Sequence, residues 1–410
     1  MRRKKGDSFV LRFFDPSIPP PLGLYDCCFT NLKTRPLVLR EATDALTKHN
    51  DVSVPTIMRT GVEWSILISV AAECNDQLLI QEIYEDFLRR IVPLSNMDEA
   101  SHHFYADDKS RFLTNAFRTF SEMITYYSKR HFSKREKRQF SVQENTTEIQ
   151  KIFETFQQYS KKINFPQDTY LTSTTSAYIT ALGQQMQAQA EAEKSCTVEQ
   201  LLALQAQIQL LMQTCMTPGN NDMDRAGTYH PQRLIGAAIA AHKRIISAAK
   251  LCCAANNIQR LSTSCHEHVR ALFLYANQRN LQNEILLGAL LDTLVVSDAP
   301  KDMIIECVEA AQVWLQQQQP YDNRSTQYFY LRDSMRRALS AANSRETAAA
   351  ASSATPTANN TARLWYTHNP YATRQMMPDG QPILNETMFN TVTASVKNKP
   401  KNPMRVHRVN

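Results

Sequence analysis

Nine glycines in 410 residues set the first limit on how this chain can fold. Ordinary usage is about 7%, roughly three times as much. Glycine supplies the positive φ of tight hairpin turns and lets backbone approach phosphate closely. A chain this poor in it is unsuited to β-sandwiches and to α/β nucleotide-binding folds. Its glycines form no G-x-G-x-x-G, G-x-x-x-x-G-K or G-x-S-x-G pattern, so the standard dinucleotide, P-loop and hydrolase sites are excluded. The sequence predicts an all-α chain, a two-lobed helical body with an extended arm at each terminus.

Apolar residues recur with a helical period from Arg40 to about Gln319. One helix follows Pro55 and carries Val62, Ile66 and Val70. Gln77–Val92 is a second, ended by Pro93. Asp107–Arg130 aligns Phe112, Ala116, Phe120, Ile124 and Tyr127 along one side. Thr147–Ile163 is next. Thr169–Lys194 reads as a polar, Gln- and Ala-rich helix with little commitment to a core. Thr197-Val198-Glu199-Gln200 makes a capping box, followed by Leu201, Leu204, Ile208, Leu211 and Cys215. Pro231–Asn257 bears the stripe Ile235, Ile239 and Ile246, and its alanines permit close helix approach. Leu281–Val296 and Pro300–Gln319 complete the body. The polar loop Gly219–Tyr229 holds two of the nine glycines and marks a boundary. The expected lobes are residues 40–218 and 220–345. No internal repeat of about 20–50 residues stands out.

Both ends differ from this body. Residues 1–39 open basic, run through Phe9, Val10, Leu11, Phe13 and Phe14, and reach Pro19, Pro20 and Pro21, a stiff extended spacer. Residues 346–410 begin as an Ala/Ser/Thr linker and continue Asn- and Pro-rich. They carry spaced anchors: Leu364, Trp365, Tyr366, Tyr371, Met376, Met377 and Phe389. Such a segment holds too little apolar area to fold alone and is suited to order on a neighbouring surface.

The net charge is +7 and the pI about 8.9. That field is mild, so polyanion binding has to come from local patches. The strongest patch is Lys129–Arg138. Six of its ten residues are cations: Lys129, Arg130, Lys134, Arg135, Lys137 and Arg138, against Glu136 alone. Tyr126, Tyr127, Phe132 and Phe140 are interleaved with them. Cations neutralise phosphates, and aromatic faces stack on unpaired bases. Lys134, Arg135 and Arg138 are expected on phosphates, with Tyr126 or Phe132 stacking. A second aromatic-basic segment holds Tyr328, Phe329, Tyr330, Arg332, Arg336 and Arg337, and is expected to line the same cleft. Two plainer readings of the basic run are a localisation signal and a solvated helix face.

Other chemistry is thinly signalled. Nine cysteines are scattered without a C-x-x-C, which reads as free thiols in a reducing compartment. The N-terminus shows no secretory apolar region. The longest apolar block, Ile66–Ala72, is too short to span a bilayer, so no membrane partner is expected. Cys265-His266-Glu267-His268 is ligand-like, but 266 does not share a helical face with 265 and 268, and it reads as a polar helix surface. His102 and His103 with Asp107 and Asp108 read as a loop and cap. No metal, cofactor or catalytic residue is assigned, and no enzyme activity is expected.

A helical body with anchored arms and basic-aromatic patches resembles helical nucleoproteins and all-helical capsid proteins of viruses. The resemblance is one of arrangement and carries over no residue motif. It implies a self-assembling structural subunit that packages or coats nucleic acid, RNA ahead of DNA, and joins copies of itself through its arms. Its place would be the virion and the host cytoplasm or nucleus. The alternative is a helical adaptor that binds other proteins. A third is a helical enzyme with a spatially assembled site.

Overall fold

The computed structural model describes residues 39–40, 43–44, 61–96, 109–130, 141–163, 168–216, 231–318 and 326–352. Among the described residues there are eleven helices and no strand, which makes the fold all-α. They are α1 (Glu63–Glu73), α2 (Gln77–Asn96), α3 (Lys109–Lys129), α4 (Val142–Ile163), α5 (Asp168–Glu193), α6 (Val198–Met216), α7 (Pro231–Cys252), α8 (Ala255–Gln278), α9 (Glu284–Val296), α10 (Lys301–Gln317) and α11 (Thr326–Ser352). The N-terminal arm up to residue 38, the loop 219–229 and everything after Ser352 lie outside the described residues. The stretch read as a linker from residue 346 begins instead as the last turns of α11.

Two apolar clusters form the core, and their chemistry differs. The first is aromatic. Trp64, Phe87, Phe117, Phe120 and Phe156 are fully buried. Their rings meet edge to face: Trp64 on Phe87 at 5.3 Å, Phe87 on Phe120 at 5.0 Å, and Phe120 on Phe156 at 5.5 Å. Such pairs add to burial, which alone gives roughly 1.5–3 kcal/mol per large side chain. Buried ionisable groups sit here too, among them Asp86 and Arg90. Asp86 accepts from Trp64 Nε1 at 3.1 Å, from Arg90 at 2.9 Å and from Arg89 at 2.6 Å, and so is neutralised in place. The second cluster is aliphatic and Ala-rich, built from Leu201 and Ile208 of α6, Ile235, Ile239 and Ile246 of α7, and Leu287, Leu291 and Ile304 of α9 and α10.

α5 lies between the clusters and corrects the expectation of a helix with little core commitment. It gives Tyr178 and Ala181 to the first cluster and Ile179 and Ala190 to the second. Tyr178 stacks on Phe153 at 3.9 Å, and Gln185 donates to the Ser128 carbonyl at 3.2 Å. Its most extensive partner is α7. A Cβ at Gly183 would lie 3.0 Å from the Ala241 Cα, so the missing side chain sets how closely the two helices approach.

Other boundaries shifted for local reasons. α2 passes through Pro93 and ends at Asn96. A proline this near a helix end forfeits one hydrogen bond without breaking the helix. α4 starts before Thr147, because Ser141 and Glu144 form a capping box: Glu144 N–H donates to Ser141 Oγ at 3.0 Å and Ser141 N–H to Glu144 Oε2 at 3.3 Å. The helix read over Pro231–Asn257 breaks at Cys253 and Ala254, where the backbone of Ala254 is extended, so that α8 can fold back against α7. The expected box ahead of α6 is present: Gln200 N–H donates to Thr197 Oγ1 at 3.3 Å, and Thr197 N–H to Gln200 Oε1 at 3.0 Å.

Candidate functional site

The two aromatic-basic segments meet different fates. In the first, α3 carries its apolar stripe into the core as far as Tyr127, which is buried. Tyr126 packs edge to face on Tyr127 at 5.1 Å. The Arg130 guanidinium lies 5.8 Å from the Tyr126 ring centre and 5.7 Å from that of Tyr127, and donates to Gln77 Oε1 at 2.6 Å. Arg130 therefore covers the tyrosines, and the face of Tyr126 under it is closed to a base. Lys129 is exposed. Phe132, Lys134, Arg135, Lys137 and Arg138 lie outside the described residues.

The second segment forms the start of α11. Leu331, Ser334, Met335, Ala338 and Ala342 turn inward. Phe329, Arg332, Arg336 and Leu339 follow at 3-4-3 spacing on the opposite face, all exposed. Phe329 is 74% exposed, an unusual position for so large an apolar ring. Arg336 pairs with Asp333 at 2.6 Å while remaining 81% exposed. An exposed pair of this kind is worth at most about 1 kcal/mol and is screened by salt, so its guanidinium can exchange partners. The result is an aromatic ring with two cations along one solvent face.

Arg337, one residue further on, is committed elsewhere. Its guanidinium pairs with Asp292 at 3.0 Å and Asp333 at 3.3 Å. Asp292 is largely buried on α9 and also takes Lys243 Nζ at 3.1 Å and the Tyr330 hydroxyl at 3.2 Å. Burial first, and then the Asp292 carboxylate, push the Tyr330 phenol up. One turn beyond α9, Asp298 takes Lys250 at 2.5 Å and Arg345 at 3.3 Å, and Arg345 also donates to the carbonyls of Val295 and Ala299. These contacts seat α11 on α9 from one side and α7 on α9 from the other. Lys243, Lys250, Arg337 and Arg345 thus serve the fold, and the two expected binding segments reduce, among the described residues, to the outer face of α11 and Lys129.

The ligand-like run on α8 is not a polar surface. Cys265, His266 and His268 are buried, because the α8 stripe Leu261, Cys265, Val269 and Leu272 faces the second cluster. His266 Nε2 meets Ser297 Oγ at 2.8 Å, and His268 Nδ1 meets His242 Nε2. Burial pushes the Cys265 thiol up to about 12 and His268 down to about 4, and holds His242 well below its usual range, with His268 adding to the effect. Among the described residues no three His, Cys, Asp or Glu side chains converge as a metal ion needs. A cavity lined by Arg270, Phe273, Leu290, Leu294, Met303, Glu306 and Cys307 is near 10 Å³, room for one water at most. No helix among the described residues is long and apolar enough to cross a membrane.

The exposed ring of Phe329 was within reach of the sequence, since the 3-4-3 spacing through Leu339 is visible there. The role of Asp292, 45 residues before the arginine it holds, was not. No known protein family, no curated protein and no solved structure matches this chain.

Proposed function

We propose that this chain is a structural, self-assembling subunit that holds single-stranded nucleic acid, RNA ahead of DNA, in the manner of a viral capsid or nucleocapsid protein. The observation that supports it best is the outer face of α11, where Phe329 stands exposed with Arg332 and Arg336 at helical spacing. A ring beside guanidinium groups is the usual equipment for sequence-independent binding, with stacking for the base and cations for the phosphate. Lys129 and the basic run that follows it in sequence add charge of the same sign. Assembly through the two arms, and a place in the virion and the host cytoplasm or nucleus, belong to the same reading. No reaction is ascribed to the chain.

The test is titration of the full chain with a fluorescent single-stranded RNA at several salt concentrations, with light scattering and absorbance at 260 and 280 nm on the purified protein. Phe329→Ala is expected to weaken binding about 5- to 100-fold. The double variant R332A/R336A is expected to flatten the log–log salt slope by roughly 1.4. Binding that survives both substitutions with an unchanged slope removes α11 as the contact. A monomer that purifies without nucleic acid and binds none sinks the coat reading in favour of the adaptor.

A further inference from the structure

Three of the seven free thiols among the described residues gather at one end of the second cluster. Cys196 sits in the turn between α5 and α6, buried, its Sγ 3.6 Å from Met186 Sδ. Cys252 ends α7, and its thiol donates to the Ala190 carbonyl at 3.9 Å. Cys253 follows, and its thiol donates to the Cys196 carbonyl at 3.9 Å. Cys196 Sγ also lies 3.9 Å from the Met186 carbonyl, and Met186 and Ala190 are one helical turn apart on α5, so the Cys196 and Cys252 thiols hang from neighbouring turns of the same helix face. Adjacent cysteines at a helix end thus lie across from a third, far away in sequence and already in contact. Cys196 and Cys252 are partly shielded, so an external thiol reaches them less readily than they reach each other.

We propose that Cys196 and Cys252 are a latent disulfide, open in a reducing compartment and closed by a peroxide-class oxidant. The Cys252 thiolate attacks one peroxide oxygen, the O–O bond breaks, and hydroxide leaves and is protonated to water. Cys252 is then a sulfenic acid. The Cys196 sulfur attacks the Cys252 sulfur, the S–O bond breaks, and the departing hydroxide takes the Cys196 proton as a second water. Two thiols give up two electrons, one peroxide accepts them, and one S–S bond forms. The bridge ties the α5–α6 turn to the end of α7 and so clamps the helix shared by both clusters. Burial, and then Cys252 itself, push the Cys196 thiol up to about 11, and burial raises Cys253 as well. The raised Cys196 thiol stays protonated at neutral pH, so the step that joins it to Cys252 is slow there and accelerates as pH rises. This inference does not rest on the nucleic-acid reading.

The experiment treats the full chain with hydrogen peroxide, alkylates the remaining thiols, digests without reductant and maps the peptides by mass spectrometry. The expected product is a Cys196 peptide joined to a Cys252 peptide, released by dithiothreitol. Its formation is expected to be at least threefold faster at pH 9 than at pH 7, with a rise in Tm of about 5 °C on closure. C253S is expected to keep the link and C252S to lose it. The wild-type map decides even where a variant folds poorly. Recovery of Cys196 alkylated or as an unlinked acid, or joined to any other cysteine, overturns the proposal.

Discussion

At the scale of single residues, the buried histidines make the fold sensitive to acid. His242 and His268 meet across α7 and α8 with their rings 4.6 Å apart, both shielded from water. Charging either ring puts a cation into an apolar core. The folded value for His268 is about 4, below the unfolded value near 6.5. As pH falls, the unfolded chain therefore takes the proton first. Stability held in full above pH 6.5 is lost progressively down to about pH 4, by up to about 3 kcal/mol from this residue. His242 is lowered too and works in the same direction. Urea midpoints measured at pH 7 and pH 5 should drop for the wild type, and H268Q, which takes no proton, should show a smaller drop. Equal drops in both would place the acid sensitivity elsewhere. The sequence offered His266 and His268 as a polar surface, because a Cys-His-Glu-His run looks hydrophilic until the period of Leu261, Cys265 and Val269 is followed. The candidate site was legible to a similar depth. Arg332 and Arg336 are outward by spacing alone. Arg337 differs from Arg336 only through Asp292, a contact no local pattern contains.

At the scale of helices, strong patterns were legible where one face is apolar and the other polar. α3, α6 and α7 have such faces, and Thr197 with Gln200 announces the start of α6. α5 has none. Ala, Gln and Thr line all its sides, since both sides are packed, and a helix buried on two faces by small residues shows little amphipathic contrast. Its importance comes from how near α7 can come. Gly183 leaves a would-be Cβ 3.0 Å from the Ala241 Cα and 3.2 Å from its Cβ. Gly183→Val would place branched methyls where the α7 backbone stands, at a typical overpacking cost of 1–3 kcal/mol, about 2 kcal/mol here. The chemical-denaturation midpoint of G183V should fall with its m-value unchanged. No change would mean that the two helices can part without loss. The break at Cys253 and Ala254 was hidden for a related reason. No Pro or Gly marks it, and an Ala-rich stretch keeps its helical propensity on both sides, so only the packing of α8 on α7 fixes the turn.

For the whole molecule, the question is whether the aromatic and aliphatic clusters unfold apart. A boundary at the loop 219–229 would give two lobes able to melt separately. The apolar packing divides elsewhere. α6 belongs to the second cluster, and α5 belongs to both. Unfolding the first cluster alone would strip Tyr178 from Phe153 and Gln185 from the Ser128 carbonyl while α5 stayed on α7. Unfolding the second alone would leave Ile179 and Ala190 bare on the same helix. Each partial state exposes apolar surface that the other cluster still needs, so the two should melt together. The structure supplies a reporter for each. Trp64 is fully buried in the first cluster, and in a W314F/W365F chain it is the only tryptophan left of three. Cys265 and Cys307 are buried in the second and become alkylatable only when it opens. Trp64 fluorescence and pulsed alkylation of those two cysteines, followed along one urea gradient, should give coincident midpoints. Midpoints that separate would assign α5 to one cluster alone and restore two independently folding lobes.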